Sequence, residues 1–441
     1  MNPKRPRLTD LFFPIFLELL FTMLTGAVDT LMLSSEGDQA VGAVGTANTY
    51  ISIFLIMFSV ISSGMTAVMT QYIGAKRPGI AQQALRLGLL FNLAVGAVIT
   101  AVLVFLAKPI LLAVGIADGL LAPGAMYLQT VGLFCLCNAL IPIYSSYLRS
   151  FGHTSATLVG TALANVINLV LNAVFLFCMN WGVFGVALAT GISRLLNLLW
   201  VWAASRRRIQ TVRDPEPLEN REILRKIIRV GLPAAMETSL YNLAMTIVIS
   251  LLNRMDPQGF QASARAYASQ FANFSFCAGA ALAHSNAIFV GWRIGAGELY
   301  QCSRETCRNA IIAISISVTT ACAIALAAPF LLPLFTDDPQ MQHLVSFLLI
   351  IDIFLEIGRS SNLVFGFALK TSGDATYPMI IAVVFAFLCA SGGTWLFGIH
   401  MDLLAVGAYI AMALDECVRA VFLFLRWYKG IWKSKILVSK T

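Results

Sequence analysis

Long apolar runs, each closed by a short charged or Pro/Gly-rich stretch, recur from one end of the chain to the other. A helix crosses about 30 Å of hydrocarbon with around 20 residues, and twelve runs reach that length. Spans 1 to 6 cover 11–33, 45–72, 86–107, 121–148, 158–179 and 183–204. Spans 7 to 12 cover 228–252, 267–292, 308–335, 344–369, 378–399 and 403–427. The first run exceeds a signal-peptide h-region and lacks a small-residue cleavage site, so it reads as retained. The pattern predicts an all-α polytopic membrane protein with twelve transmembrane helices.

Composition removes the alternatives. Of 441 residues, 58% are apolar and only 12% charged, whereas soluble domains carry about 25% charged residues. A string of soluble domains, a disordered chain, a collagen-like repeat and a secreted disulfide scaffold are all excluded. The net charge of +8 would suit nucleic acid, but the cations sit between apolar runs and not on one face. Nine cysteines include no CxxC pair, and Cys135, Cys137, Cys178, Cys277, Cys322, Cys389 and Cys417 lie in apolar surroundings, where they read as packing residues. His153, His284, His343 and His400 show no ligand spacing. Neither a metal nor an organic cofactor is expected.

Charge sets an orientation. With the N-terminus inside, the cytoplasmic segments hold Lys4, Arg5, Arg7, Lys76, Arg77, Arg86, Arg149, Arg206–Arg208, Arg293, Arg304, Arg308, Lys370, Lys429, Lys433, Lys435 and Lys440. The outer loops hold Lys108, Arg254 and Arg265 among the acids Glu36, Asp38, Asp118, Asp256, Asp337, Asp338 and Asp402. The asymmetry predicts that both termini are cytoplasmic, in an inner (plasma) membrane.

The longest polar stretch divides the chain into a six-span half at 1–205, a charged linker at 206–227, a second six-span half at 228–427 and a basic tail at 428–441. The halves resemble each other. Gln71-Tyr-Ile-Gly74-Ala75 matches Trp292-Arg-Ile-Gly295-Ala296 at an offset of 221 (295 − 74). Leu148-Arg149 with Gly152 matches Leu369-Lys370 with Gly373 at the same offset (373 − 152). Pro14 and Glu18 match Pro233 and Glu237 at 219 (233 − 14, 237 − 18). Six spans separate the copies, so the repeat is parallel, and two such bundles facing a central cleft suit a secondary transporter.

These segments resemble the multidrug and toxic compound extrusion (MATE) family. Pro14 with Val28-Asp29-Thr30 looks like its opening helix, and Gln71–Ala75 like the end of its second. Asn168-Leu-Val-Leu-Asn172 resembles the helix 5 motif, and Gly185–Thr190 the helix 6 motif. Gly231-Leu-Pro233 through Glu237, and Glu356-x-x-Arg359-x-x-Asn362 followed by Gly373-Asp374, are similar to helices 7 and 10 of prokaryotic members. Two departures stand out. Asn172 occupies a position that is acidic in some members, and Glu237 lies four residues past Pro233 where others place a Glu about two turns past it.

The resemblance implies efflux of amphipathic, often cationic compounds by antiport with H⁺ or Na⁺. Ionisable groups at membrane depth are costly and mark such pathways. Asp29 leads the candidates for a cation-coupling and substrate pocket, with Asn168, Asn172 and Thr190 on neighbouring helices. Asp29 also reads as a plain interfacial carboxylate, and the Asn pair as interhelical glue. In the second half the candidates are Glu237, Glu356, Arg359 and Asn362. Glu356 and Arg359 are three apart, which suits an internal ion pair as well as a coupling role. Glu18 and Glu237 read as helix-end carboxylates on the dipole or as a gate. Arg194 groups with Asp415, Glu416 and Arg419 as inner-side packing pairs. No P-loop, HExxH or GxSxG occurs, so neither ATP drive nor an enzyme is expected. The expected partners are small organic molecules, H⁺ or Na⁺ and the lipid bilayer, with no nucleic acid and a monomeric state. A flippase for lipid-linked saccharides is the alternative.

Overall fold

A computed structural model describes residues 6–113, 118–212 and 214–438. Lys4, Arg5 and Lys440, counted above for orientation, lie outside the described residues, as do the side chains of Thr30, Asp38 and Asp118. The described residues form fourteen α-helices and no strand. The helices are α1 (Leu8–Leu33), α2 (Asp38–Gly74), α3 (Pro78–Phe105), α4 (Ala107–Ala113), α5 (Asp118–Leu133), α6 (Cys135–Ser150), α7 (Thr154–Ala173) and α8 (Gly182–Arg208). They continue as α9 (Asn220–Met255), α10 (Phe260–Gly295), α11 (Leu299–Leu331), α12 (Pro339–Ser372), α13 (Thr376–Phe385) and α14 (Leu404–Tyr428).

Ten helical stretches are long and apolar enough to cross a membrane, and the pair α5–α6 adds an eleventh. The remaining rod, α14, is long enough but carries Asp415, Glu416 and Arg419 in its middle. Span 4, read as the single run 121–148, is bent by 46° between α5 and α6. At the break, the Phe134 N–H donates to the Val131 carbonyl three residues back. The Phe134 ring packs where a Cβ on Gly191 would stand, so close seating on α8 accompanies the kink.

The chain divides into two compact units, Met1–Gly231 and Leu232–Thr441, and the division falls within α9. The first unit packs Leu103, Leu111, Leu128, Val131 and Val186 into its core. The second packs Val248, Leu252, Leu332, Val345, Leu348 and Tyr409. Phe105, Leu326 and Phe330 stay exposed, as lipid-facing side chains do when the surrounding solvent is itself apolar.

The sequence repeat reappears as repeated backbone geometry. After α2, Lys76 takes φ 60° and the Arg77 N–H donates to the Tyr72 carbonyl; after α10, Gly297 takes φ 77° and the Glu298 N–H donates to Arg293. After α6, Gly152 has φ 83° with His153 bonded back to Leu148; after α12, Gly373 has φ 102° with Asp374 bonded back to Leu369. Both are left-handed helix ends that glycine adopts without steric cost. A match that the sequence had not disclosed follows at an offset of 222 (402 − 180). α7 passes into a π-helical stretch, Val174–Cys178, and α13 into two, Ala386–Gly392 and Thr394–His400. Each exit ends on a residue at φ 55°, Asn180 and Asp402, and two residues later Gly182 and Leu404 sit at φ 51° and 50°.

Helices intrude on both ends of the polar linker, leaving only 209–219 outside them. This segment is strapped to the start of α3 in the first unit. Arg77 Nη2 meets Asp214 Oδ1 at 2.9 Å and also donates to the Glu216 carbonyl. Gln82 donates to the Gln210 carbonyl at 2.7 Å and accepts from the Val212 N–H at 3.0 Å. Gln83 donates to the Leu218 carbonyl at 2.7 Å. The Arg77 hydrogen bond holds the Asp214 carboxyl below its ordinary value of 3.8. The tie is therefore in place above that value and is lost as the pH falls through the depressed one. Hydrogen exchange over 209–219, corrected for its intrinsic pH dependence, is expected to accelerate only in that acid range. Asp214→Asn should show the faster exchange already at neutral pH; unchanged protection in the variant would contradict the strap.

Candidate functional site

In the first unit the four expected residues come together. Asn168 and Asn172 lie one turn apart on α7 and are both buried. Asn172 Nδ2 donates to Asp29 Oδ1 on α1 at 2.9 Å and to Asn168 Oδ1 at 3.3 Å. Asn168 Nδ2 donates to Thr190 Oγ1 on α8 at 3.4 Å, and the Thr190 hydroxyl donates to the Val186 carbonyl at 2.9 Å. A polar chain thus crosses three helices and ends on a half-buried carboxylate. Asn172 Oδ1 is buried and accepts from no partner among the described residues. The π-helical stretch starts two residues after Asn172, and such departures from the α ladder are frequent at functional sites.

Three more residues belong to this site. Half-buried Arg194, one turn beyond Thr190 on α8, has its charge interactions with Asp29 and Tyr127. This corrects its expected grouping with Asp415, Glu416 and Arg419: charge and depth can be read from a sequence, but the direction a helix face points cannot. Tyr127 on α5 donates to Asn48 Oδ1 on α2 at 3.2 Å. Tyr127 and Asn48 had no motif to mark them.

Glu18 and Glu237 lie inside α1 and α9 and are ion-paired there, so the helix-end dipole reading does not hold. Glu18 is ten residues into α1 and buried, and its carboxylate meets Arg149 Nη2 at 2.7 Å. Thr157 and Thr161 donate to the same carboxylate at 2.9 and 3.3 Å. Glu237 meets Lys370 Nζ at 3.0 Å. Arg149 and Lys370 occupy equivalent repeat positions, as do the two glutamates, so one ion pair has been kept in both copies. Its signal was present in the sequence, because both partners fall within matched segments.

The second unit builds a different polar group. Glu356 Oε1 and Arg359 Nη1 pair at 2.6 Å, while Asn362 donates not to them but to Glu416 Oε2 on α14 at 2.8 Å. Glu416 also meets Arg419 Nη2 at 2.6 Å and accepts from the Tyr241 hydroxyl at 3.3 Å. The same Arg419 nitrogen meets Asp415 at 2.7 Å. Gly358 makes this possible: a Cβ there would lie 2.5 Å from the Cys417 nitrogen, so only glycine lets α12 lie on the α14 backbone beside Glu416. Of the four expected residues, Glu237, Arg359 and Asn362 line one cavity of about 380 Å³; Glu356 does not. Among the described residues no cluster of three His, Cys, Asp or Glu could hold a metal ion.

An all-α bundle that buries carboxylates beside amides and arginines at membrane depth defines a polytopic transporter. The MatE family model matches residues 14–174 and 233–395. The uncharacterized transporter YisQ of Bacillus subtilis is 31% identical over 435 residues, covering 97% of this chain and 95% of that protein. The probable multidrug resistance protein NorM of Thermotoga maritima is 23% identical, covering 99% and 95%. A crystal structure of MATE in complex with MaD3S superposes with a TM-score of 0.89 at 19% identity, covering 96% of this chain and 95% of the other. The chain belongs to the MATE family. It is a secondary active transporter and not an enzyme.

Glu18 is almost fully enclosed while Arg149 keeps some solvent, which places their pair between the surface and buried limits. Arg149→Met strands the carboxylate and is expected to cost about 2 kcal/mol. The double variant Glu18→Gln/Arg149→Met should cost less than this single one. Melting of the purified protein in detergent reads both, and a double variant less stable than the single would contradict the assignment.

Proposed function

We propose that this transporter exports amphipathic organic compounds, cations among them, in exchange for H⁺ or Na⁺ entering the cell. Both termini then lie in the cytoplasm of a cell whose inner membrane holds the protein, 206–227 joins the halves on that side, and 428–441 forms a basic tail. The observation that carries the reading is the polar chain from Asp29 through Asn172 and Asn168 to Thr190. A carboxylate at depth can hold a proton, or with oxygen neighbours a hard cation. Asn172 Oδ1, buried beside Asp29 with no donor among the described residues, is such a neighbour.

Exchange follows from charge. While Asp29 is ionised it attracts Arg194 and accepts from Asn172. A proton or sodium ion arriving there cancels that attraction and loosens the tie between α1 and the α7–α8 pair. The ion thus favours one conformation over the other by its differential affinity. An organic cation at the same carboxylate competes with it. One charge crossing 100 mV supplies about 2.3 kcal/mol, and a tenfold ion gradient adds about 1.4 kcal/mol, enough to sustain a steep outward gradient of cargo.

Asp29→Asn removes the ionisable group and keeps the size of the side chain. It is expected to insert and fold as the parent does and to lose efflux of a fluorescent cation from proteoliposomes. Imposing a pH gradient and a sodium gradient separately identifies the ion. Efflux by the variant at the parent rate would refute the role of Asp29.

A further inference from the structure

The start of α9 carries positive charge that the fold does not use. Arg221, Arg225 and Arg229 recur every four residues and so share one face of the helix. All three are exposed, and among the described residues no hydrogen bond or ion pair engages their side chains. Cations on neighbouring elements are engaged: Arg77 by Asp214, Arg149 by Glu18 and Lys226 by Glu222. With Glu222 so paired, Glu219 is the one acid left along the groove that the three arginines line, and it precedes the helix.

The opposite face fixes where this row points. Ile223, Ile227 and Val230 are buried. A Cβ on Gly64 would collide with the Ile227 carbonyl, and one on Gly231 with that of Val60, so α9 lies backbone to backbone on α2. The arginines turn away from that contact. Depth follows from length. The 36 residues of α9 rise about 54 Å, against about 30 Å of hydrocarbon and about 6 Å of headgroups on each side. The mainly apolar stretch between Arg229 and Arg254 fills the hydrocarbon and leaves Arg229 at its edge. Arg225 and Arg221 then stand about 6 and 12 Å further out, within the headgroup layer and at its rim. An adjoining cavity of about 400 Å³ beside Asn220 adds Arg86, exposed and equally unengaged, together with Leu87 and Leu90.

We propose that this arginine row docks the headgroups of anionic phospholipids. Guanidinium groups in the headgroup layer match phosphodiesters in charge and in two-point geometry, and basic clusters beside a span attract anionic lipid. Leu90, largely exposed in the cavity with Arg86, offers a wall to an acyl chain. A soluble anion would gain the charge contact alone, so the lipid is the occupant that fits. The proposal goes beyond the efflux reading and does not depend on it.

Binding tests this without any transport step. The full-length protein in a neutral detergent is titrated with phosphatidylglycerol and phosphatidylcholine bearing the same fluorescent acyl chain. The parent is expected to bind the anionic lipid at least about fivefold more tightly. Arg221→Gln/Arg225→Gln/Arg229→Gln breaks no contact within the protein. It is expected to melt as the parent does and to bind the two lipids within about twofold of each other. In the parent, raising salt from about 0.05 M to about 0.5 M should remove the preference and leave the phosphatidylcholine affinity unchanged, a readout that needs no variant. Equal binding of the two lipids by the parent overturns the proposal, as does a preference that survives in the triple variant or in high salt. Displacement of the lipid by inorganic phosphate at equal concentration also overturns it, because the row would then be a site for soluble anions.

Discussion

A carboxylate surrounded by hydrocarbon has no water to solvate it, so it must be met by a donor, a cation or a proton. Most of what distinguishes this protein follows from that demand. Where a permanent cation meets the acid, the result is mechanical. Glu18 with Arg149 and Glu237 with Lys370 pin helices together within their units. Elsewhere an amide meets the acid, as Asn172 meets Asp29 at 2.9 Å. Arg194 stands near enough to feel the charge without a hydrogen bond to it. The first arrangement stabilises, and the second is the one proposed to exchange ions.

The two units share a frame and differ in their polar content. Left-handed turns at Lys76 and Gly297, glycine caps at Gly152 and Gly373, and π-helical exits before Asn180 and Asp402 recur at nearly one offset. On that common frame the first unit carries a chain of neutral amides and a hydroxyl ending in one acid. The second carries Glu416 as a hub for Arg419, Asn362 and Tyr241. Duplication supplied the scaffold, and the side chains at its centre diverged.

Much of the fold was legible because hydrocarbon imposes a length on every span and the charged breaks between spans are unmistakable. The repeat was legible from Gly152 and Gly373, whose left-handed conformation restricts the residue. The four residues of the first-unit chain were also recoverable, since Asn168 and Asn172 share a face and the family resemblance puts Asp29 and Thr190 on neighbouring helices. The rest was hidden for physical reasons. Apolar periodicity is weak when lipid and core are equally oily, so the sequence does not report which way Arg194 faces. The π-helical exits and the bend at Phe134 depend on close packing between helices, which no local pattern records. Glu416 looked like one member of a charged run, and only its contacts with α9 and α12 reveal it as a hub.

The central claim is that one half-buried acid holds an inorganic ion or an organic cation but not both. Release of the ion on binding of the cargo tests it most directly. The purified protein, in weakly buffered detergent or loaded with radioactive sodium, is mixed with an organic cation while free protons and sodium are followed. The account expects binding to expel a proton or a sodium ion from the parent. Tight binding of the cation with neither ion released would contradict it.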